Sequence, residues 1–439
     1  MNVRNLAIVA ATISLMANTA MASSLQEAIA KAVATHPEGL SAEKNQAAIG
    51  HQIDMAKAGY RPTVDLTAGT GYEHSINPST RFRAGRGLDA KEDDRDLWRS
   101  ESRLTIRQMI WDGRQTQNRV AQQTMRFESA AAHVTDVKNQ IALRAAESYL
   151  NVLRTKELVA LADANLATHK EYVGKINERS KGGRAAGADV RQAEGRMNLA
   201  EANLIAAQGE MKSAEADYLE VVGEMPAGLA KDATPFSQIA ADTSGAITRA
   251  MGNSPVIAGA QANIKAARAE EAEANCPFCP RIEAEGGASR NLNLDGTEGV
   301  NHDFTAMLYL RQNLYNGGHD MAQKAERTSR VAEATDDLEK QRRLVEQSVI
   351  KAFARMDSAK NRLQPLTQHV QAATSTRDAY RSQFDLGQRS LLDLLDSEVE
   401  LSNSRAALIN GKFDVDAAAY AVLANTGDLV PASPVVAAK

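Results

Sequence analysis

FDLGQRSLLDLLD, residues 384–396, reads as a glycine turn that opens a helix, and an earlier version, KGGRAAGADVRQ at 181–192, stands 204 residues upstream. Gly183 falls on Gly387, Asp189 on Asp393, Val190 on Leu394 and Glu194 on Glu398. Each turn sits between two long helical patterns, so the chain reads as a tandem duplication whose two turns occupy equivalent places.

Other repeats agree. AIAKAVATHP (28–37) matches AITRAMGNSP (246–255) at an offset of 218, and LTIRQMIWDG (104–113) matches LYLRQNLYNG (308–317) at 204. The 14-residue difference falls between the two strands of each copy, as a loop difference. Each copy then reads helix, strand, loop, strand, very long helix, turn, helix, with repeat 1 at about 25–224 and repeat 2 at about 243–428. The first helix is expected over 25–58. Long helices are expected from about 114 to 179 and 319 to 384, with a kink or break at Pro365, and shorter returns over 189–224 and 390–424. Val134, Val137, Ile141, Ala145, Tyr149 and Val152 give the first long helix an apolar stripe. Some 66 residues at about 1.5 Å each make a rod of roughly 100 Å.

Residues 64–72, 103–110, 282–288 and 304–314 alternate apolar and polar, as half-buried strands do. The segments 61–112 and 281–315 are therefore candidates for membrane strands. Residues 60–112 and 278–316, about a fifth of the chain, hold 9 of its 19 aromatics and both tryptophans. Tyr60, Tyr72, Trp98, Trp111, Phe278, Phe304, Tyr309 and Tyr315 lie near strand ends, as in the girdles of an outer-membrane barrel. The loops at 74–98 and 289–303 are polar enough for the exterior. Four strands cannot close a barrel, and lipid does not tolerate an open edge, so identical partners in a ring are required. A soluble coiled-coil scaffold without a pore is the competing reading; it leaves the strands and aromatics unexplained.

The compartment follows from residues 1–22. Arg4, the apolar run 6–16 and Ala20-Met21-Ala22 have the form of a secretory signal, leaving 23–439 as the mature chain. The signal has one base and no acid, so its removal moves the formal charge from −4 to −5. Such acidity gives no support to nucleic-acid binding. Cys276 and Cys279 form NCPFCP outside any thioredoxin-like context. A local disulfide, or an inert pair, is expected there. No H-E-x-x-H, G-x-x-x-x-G-K-[ST] or G-x-S-x-G motif occurs. No enzyme, cofactor or metal site is expected, and any energy for transport must come from a partner.

The duplicated plan, the paired RQMIWDG and RQNLYNGG, and FDLGQRSLLDLLDSE resemble the TolC family of outer-membrane factors across the mature chain. EGVNHDFTAMLYLRQNLYNGG (298–318), GADVRQAEGRMNLAEANL (187–204) and FDLGQRSLLDLLDSEVEL (384–401) are most similar to its type I secretion members, which serve large adhesins. The resemblance implies an α+β membrane fold. It is a homotrimer whose four strands per protomer make one outer-membrane barrel, continued by a long α-helical periplasmic barrel. Residues 225–242 and the C-terminal tail are candidates for a mixed belt around its middle. The turns, with Gly183, Gly187 and Gly387, would meet a periplasmic adaptor and an inner-membrane ABC transporter. The function implied is the passive exit duct for a secreted protein, working from the lipid of the outer membrane; the alternative is the outer-membrane channel of a multidrug efflux pump.

Asp393 and Asp396 are three apart at a helix start, one turn from each other. By spacing alone they are dipole-compensating or capping residues. The resemblance implies instead that they line a closed, cation-binding entrance. Two carboxylates about 5 Å apart repel by roughly 3 kcal/mol at an effective dielectric near 20. Arg389 and Asp189 match a family pair that ties helix pairs together in the closed state. Phe384 stands where a family tyrosine supplies a hydroxyl, so that latch is expected to be missing. An ordinary salt bridge without a gating role is the alternative.

Overall fold

The computed structural model describes residues 24–77, 80, 94–182, 186–231, 234 and 236–430. The expected signal at 1–22, most of the first strand-to-strand loop and Gly183 lie outside them. Ser24 opens α1 (Leu25–Thr35) with a reciprocal capping box: its Oγ accepts from Glu27 N–H at 3.2 Å, and the Glu27 carboxylate accepts from Ser24 N–H at 2.9 Å. His36 is extended (φ −64°, ψ 129°), and α2 (Pro37–Lys57) restarts from Pro37. The single helix expected over 25–58 is therefore two. Proline is hostile to a helical residue before it and welcome at the first helical position. The second copy repeats this division, with Ser254 extended (φ −64°, ψ 120°) before Pro255.

Four strands form one antiparallel sheet in chain order: β1 (Thr63–Ile76), β2 (Asp94–Trp111), β3 (Arg281–Leu292) and β4 (Val300–Arg311). The first three extend beyond the alternating cores read from sequence, while β4 begins before 304 but ends at Arg311, short of the expected 314. The register sorts their side chains by face, because directly opposed residues point the same way. Val64 opposes Ile106, Leu66 opposes Leu104 and Tyr72 opposes Trp98. Leu104 opposes Ala288, which opposes Phe304. The other face carries charge: Arg107 pairs with Asp65 (3.4 Å) and Glu285 (3.3 Å), and Arg311 pairs with Glu283 (2.6 Å). Leu66 is 73% exposed and Phe304 84%, so the apolar face has no cover within the protomer. An apolar face suited to lipid, backed by a charged one, is the pattern of a barrel wall.

Gly113 (φ 67°) and Gly317 (φ 69°) release the chain from the sheet into two helices of 67 residues, α3 (Gln115–Lys181) and α7 (His319–Asp385). Their returns are α4 (Gly187–Val222) and α8 (Leu391–Thr426), ending on left-handed Gly223 and Gly427. All four bounds of α7 and α8 equal those of α3 and α4 plus 204. Between the copies, α5 (Thr243–Asn253) and α6 (Pro255–Glu273) lead into β3. Of the kink or break expected at Pro365, the break does not occur: α7 continues through it. Proline removes one hydrogen bond there, but the residue is exposed, where carbonyls turn outward at least cost. No helix among the described residues is long and apolar enough to cross a membrane.

Two compact units result. Among the described residues, one comprises 24–39, 138–246 and 349–430; the other comprises 40–137 and 247–348. In the first, Ile141, Ala145 and Tyr149 of the predicted stripe are almost wholly buried. Tyr149 also donates to Ala230 O (2.6 Å) and accepts from Ala230 N–H (3.0 Å), while Lys231 ion-pairs with Asp416 (3.3 Å), which docks part of the 225–242 segment. In the second, Ile257, Ile264 and Leu338 form a smaller core.

Cys276 and Cys279 are free thiols, so of the two outcomes expected there, a local disulfide or an inert pair, the disulfide is absent. Cys276 is the first residue of a 3-10 turn and Cys279 its C-cap, and the buried Cys276 Sγ is turned to Gly113 O at 3.3 Å. Burial pushes its thiol above the ordinary range.

Candidate functional site

The turn between α7 and α8 forms because α7 runs out at Gly387 (φ 76°), whose N–H reaches Phe384 O at 2.9 Å. Open space surrounds the missing side chain, so backbone handedness alone asks for glycine here. Ser390 then starts α8 as its N-cap, with Oγ accepting from Asp393 N–H at 3.1 Å. In the other copy Gly187 is the first helical residue of α4, and the Asp189 carboxylate accepts from Ala186 N–H at 3.3 Å.

Behind the turns lies one apolar cluster. Tyr172 and Ile176 of α3, Ala193 of α4, Phe384 of α7, and Leu391, Leu394 and Leu395 of α8 are all buried in it. Phe384 lacks the hydroxyl discussed above, yet it holds a place: Arg179 lies 4.2 Å over its ring and donates to its carbonyl at 3.2 Å. Arg179 also lies 3.6 Å from Asp385.

The charges are distributed differently from the sequence expectation. Arg389 does not pair with Asp189 within the protomer. Its Nε lies 3.2 Å from the Asp393 carboxylate, one turn on, and its guanidinium stacks 3.9 Å from the Tyr380 ring. Asp189 is turned back onto its own helix end, where the dipole favours it. Asp396 is held by Arg196 of α4 at 2.7 Å. Asp393 and Asp396 are thus each answered by an arginine, and both remain partly exposed.

Deeper in, Glu398 is only 4% exposed. It accepts from the Tyr172 hydroxyl at 2.6 Å and from Arg377 Nη1 at 3.1 Å, which ties α3, α7 and α8 together. Burial, reinforced by the Glu398 hydrogen bond, pushes the Tyr172 phenol up. At the rim, Arg381 of α7 reaches Glu171 of α3 at 2.8 Å. Sequence reading passed over Arg179, Arg196, Arg377 and Tyr172. Arg179 carried a signal, a cation in the last helical turn; the others lie within long polar helices, where nothing in the spacing marks a buried partner.

A four-stranded sheet with one lipid-suited face, joined in the chain to long helices, is the pattern of an outer-membrane channel protein. The chain belongs to the outer membrane efflux protein family, whose sequence model matches residues 28–224 and 246–428. It is 25% identical over 377 residues to outer membrane efflux protein BepC of Brucella suis biovar 1, covering 85% of this chain and 79% of that one. Over 415 residues it is 23% identical to outer membrane protein TolC of Vibrio cholerae, covering 92% and 91%. The solved outer membrane protein VceC of Vibrio cholerae shares the fold with a TM-score of 0.74 at 17% identity, covering 92% of this chain and 96% of that one. The protein is an outer-membrane channel, not an enzyme. Channels of this kind are homotrimers that work with an adaptor and an inner-membrane transporter.

Proposed function

We propose that this protein is the passive exit duct of a type I secretion system, receiving a secreted protein from an ABC transporter and its adaptor. What supports this reading is the resemblance of 187–204, 298–318 and 384–401 to the type I secretion members that serve large adhesins. Two of those three segments build the turns described above. Drug efflux is the second reading, favoured by the name of the Brucella relative. Deleting the gene is expected to remove a protein from the cell surface without changing drug sensitivity. Drug hypersensitivity with an intact surface protein would reverse the choice.

In this reading the turns are the adaptor contacts, with Gly183, Gly187 and Gly387 shaping them, and the tip is the gate. Arg389–Asp393 and Arg196–Asp396 are partly exposed pairs, each worth about 0–1 kcal/mol, so three symmetric copies hold a tip that partner contact can open. Arg389→Ser combined with Arg196→Ala is expected to raise single-channel conductance in planar bilayers several-fold. Asp393→Ala with Asp396→Ala is expected to weaken block by multivalent cations. Currents unchanged in both variants would leave the aspartates as ordinary helix-start acids and the arginines as surface pairs.

A further inference from the structure

His169, on α3 one turn before Tyr172, is 2% exposed, and its Nδ1 is enclosed without a hydrogen-bond partner. A neutral imidazole presents one N–H and one lone pair, so an enclosed, unpartnered ring nitrogen is a place for a proton with nothing yet to receive it. The charged groups acting on it come from two other helices: Glu398 of α8 draws a proton in, and Arg196 of α4 opposes one. Tyr172 on α3 itself and Arg377 on α7 bear on it through Glu398, which they hold at 2.6 and 3.1 Å. Burial is the largest influence and pulls His169 below the ordinary histidine range.

We propose that His169 is a proton sensor of the tip, whose protonation releases the Arg196–Asp396 tie and loosens the packing of α3, α4 and α8. An imidazolium there repels Arg196, the cation that holds Asp396 at 2.7 Å. It also competes with Tyr172 and Arg377 for Glu398. Both effects favour an arrangement in which water reaches the ring. The sign follows from linkage. The tip tied through Arg196–Asp396 holds His169 below its ordinary pKa, and we take that as the closed state; an opened, hydrated tip leaves it at about 6.5. The closed state therefore keeps its full advantage above about pH 6.5 and loses it as pH falls through that value, until the closed-state pKa is reached.

This inference rests on the tip being the gate, so the test uses two readouts on the purified trimer. Deuterium uptake by peptides covering 165–176 and 392–402, corrected for intrinsic exchange, reports local opening. Conductance in planar bilayers reports gating. Between pH 7.5 and 5.5 the wild type is expected to show several-fold faster uptake in both peptides, and His169→Gln is expected to abolish that response. His169→Asn serves as the second variant if His169→Gln does not yield the heat-modifiable trimer. An undiminished acid response in the substituted trimer, or no response in the wild type, would overturn the sensor. If uptake follows His169 while conductance ignores every tip substitution, the sensor stands and the gate reading falls.

Discussion

Arg377→Met is expected to destabilise the tip-bearing unit by about 3 kcal/mol, because it strands a carboxylate that the fold has removed from water. Glu398 is 4% exposed, and Arg377 is the cation that hydrogen-bonds to it, at 3.1 and 3.4 Å. The Tyr172 hydroxyl that remains neutralises no charge. Denaturant titration of the trimer, followed at the tip by protease sensitivity, reads the loss. The cost belongs to breaking the network and not to lacking it, since well-packed apolar replacements of a buried pair are often neutral. Arg377→Met with Glu398→Leu and Tyr172→Phe is therefore expected to recover most of the stability. A triple variant as unstable as the single one would show that shape, not the stranded charge, sets the cost.

Gly113→Ala is expected to be the most damaging glycine substitution where the sheet hands over to the long helices, and Gly317→Ala, its counterpart in the second copy, much less so. Both glycines are left-handed, at φ 67° and 69°, which costs any other residue about 1–2 kcal/mol. They differ in what a side chain would meet. A β-carbon at Gly113 would lie 2.6 Å from that of Cys279, whereas at Gly317 nothing lies within 4 Å. Overpacking of this kind adds about 1–3 kcal/mol. The yield of heat-modifiable trimer in outer-membrane fractions should fall sharply for the first and slightly for the second, with Cys279→Gly partly rescuing Gly113→Ala. Equal losses in the two alanine variants would remove the Cys279 contact from the explanation.

Much of the fold was legible because it is written in short-range chemistry. Gly387 marks a left-handed turn, whereas Pro37, a restart signal just as local, was passed over when 25–58 was read as one helix. The two-residue alternation marks the strands, and a constant offset of 204 marks helices matched in length. Pro365 does not break α7 because its penalty is local: one lost hydrogen bond on an exposed face does not end a helix of 67 residues.

The tip shows where such reading stops. FDLGQRSLLDLLD by itself determined a left-handed glycine, a serine cap and a helix start bearing acids, since each depends on residues within a turn of one another. It did not determine which cation answers which acid. Glu398 and its counterpart Glu194 look alike in sequence, yet one is buried and the other exposed. Arg377 stands where the first copy has Val173, and Asp396 finds Arg196 from a helix 200 residues away. Those pairings arise only when α3, α4, α7 and α8 pack together, because burial and proximity across helices, unlike capping and handedness, are properties of the assembled tip.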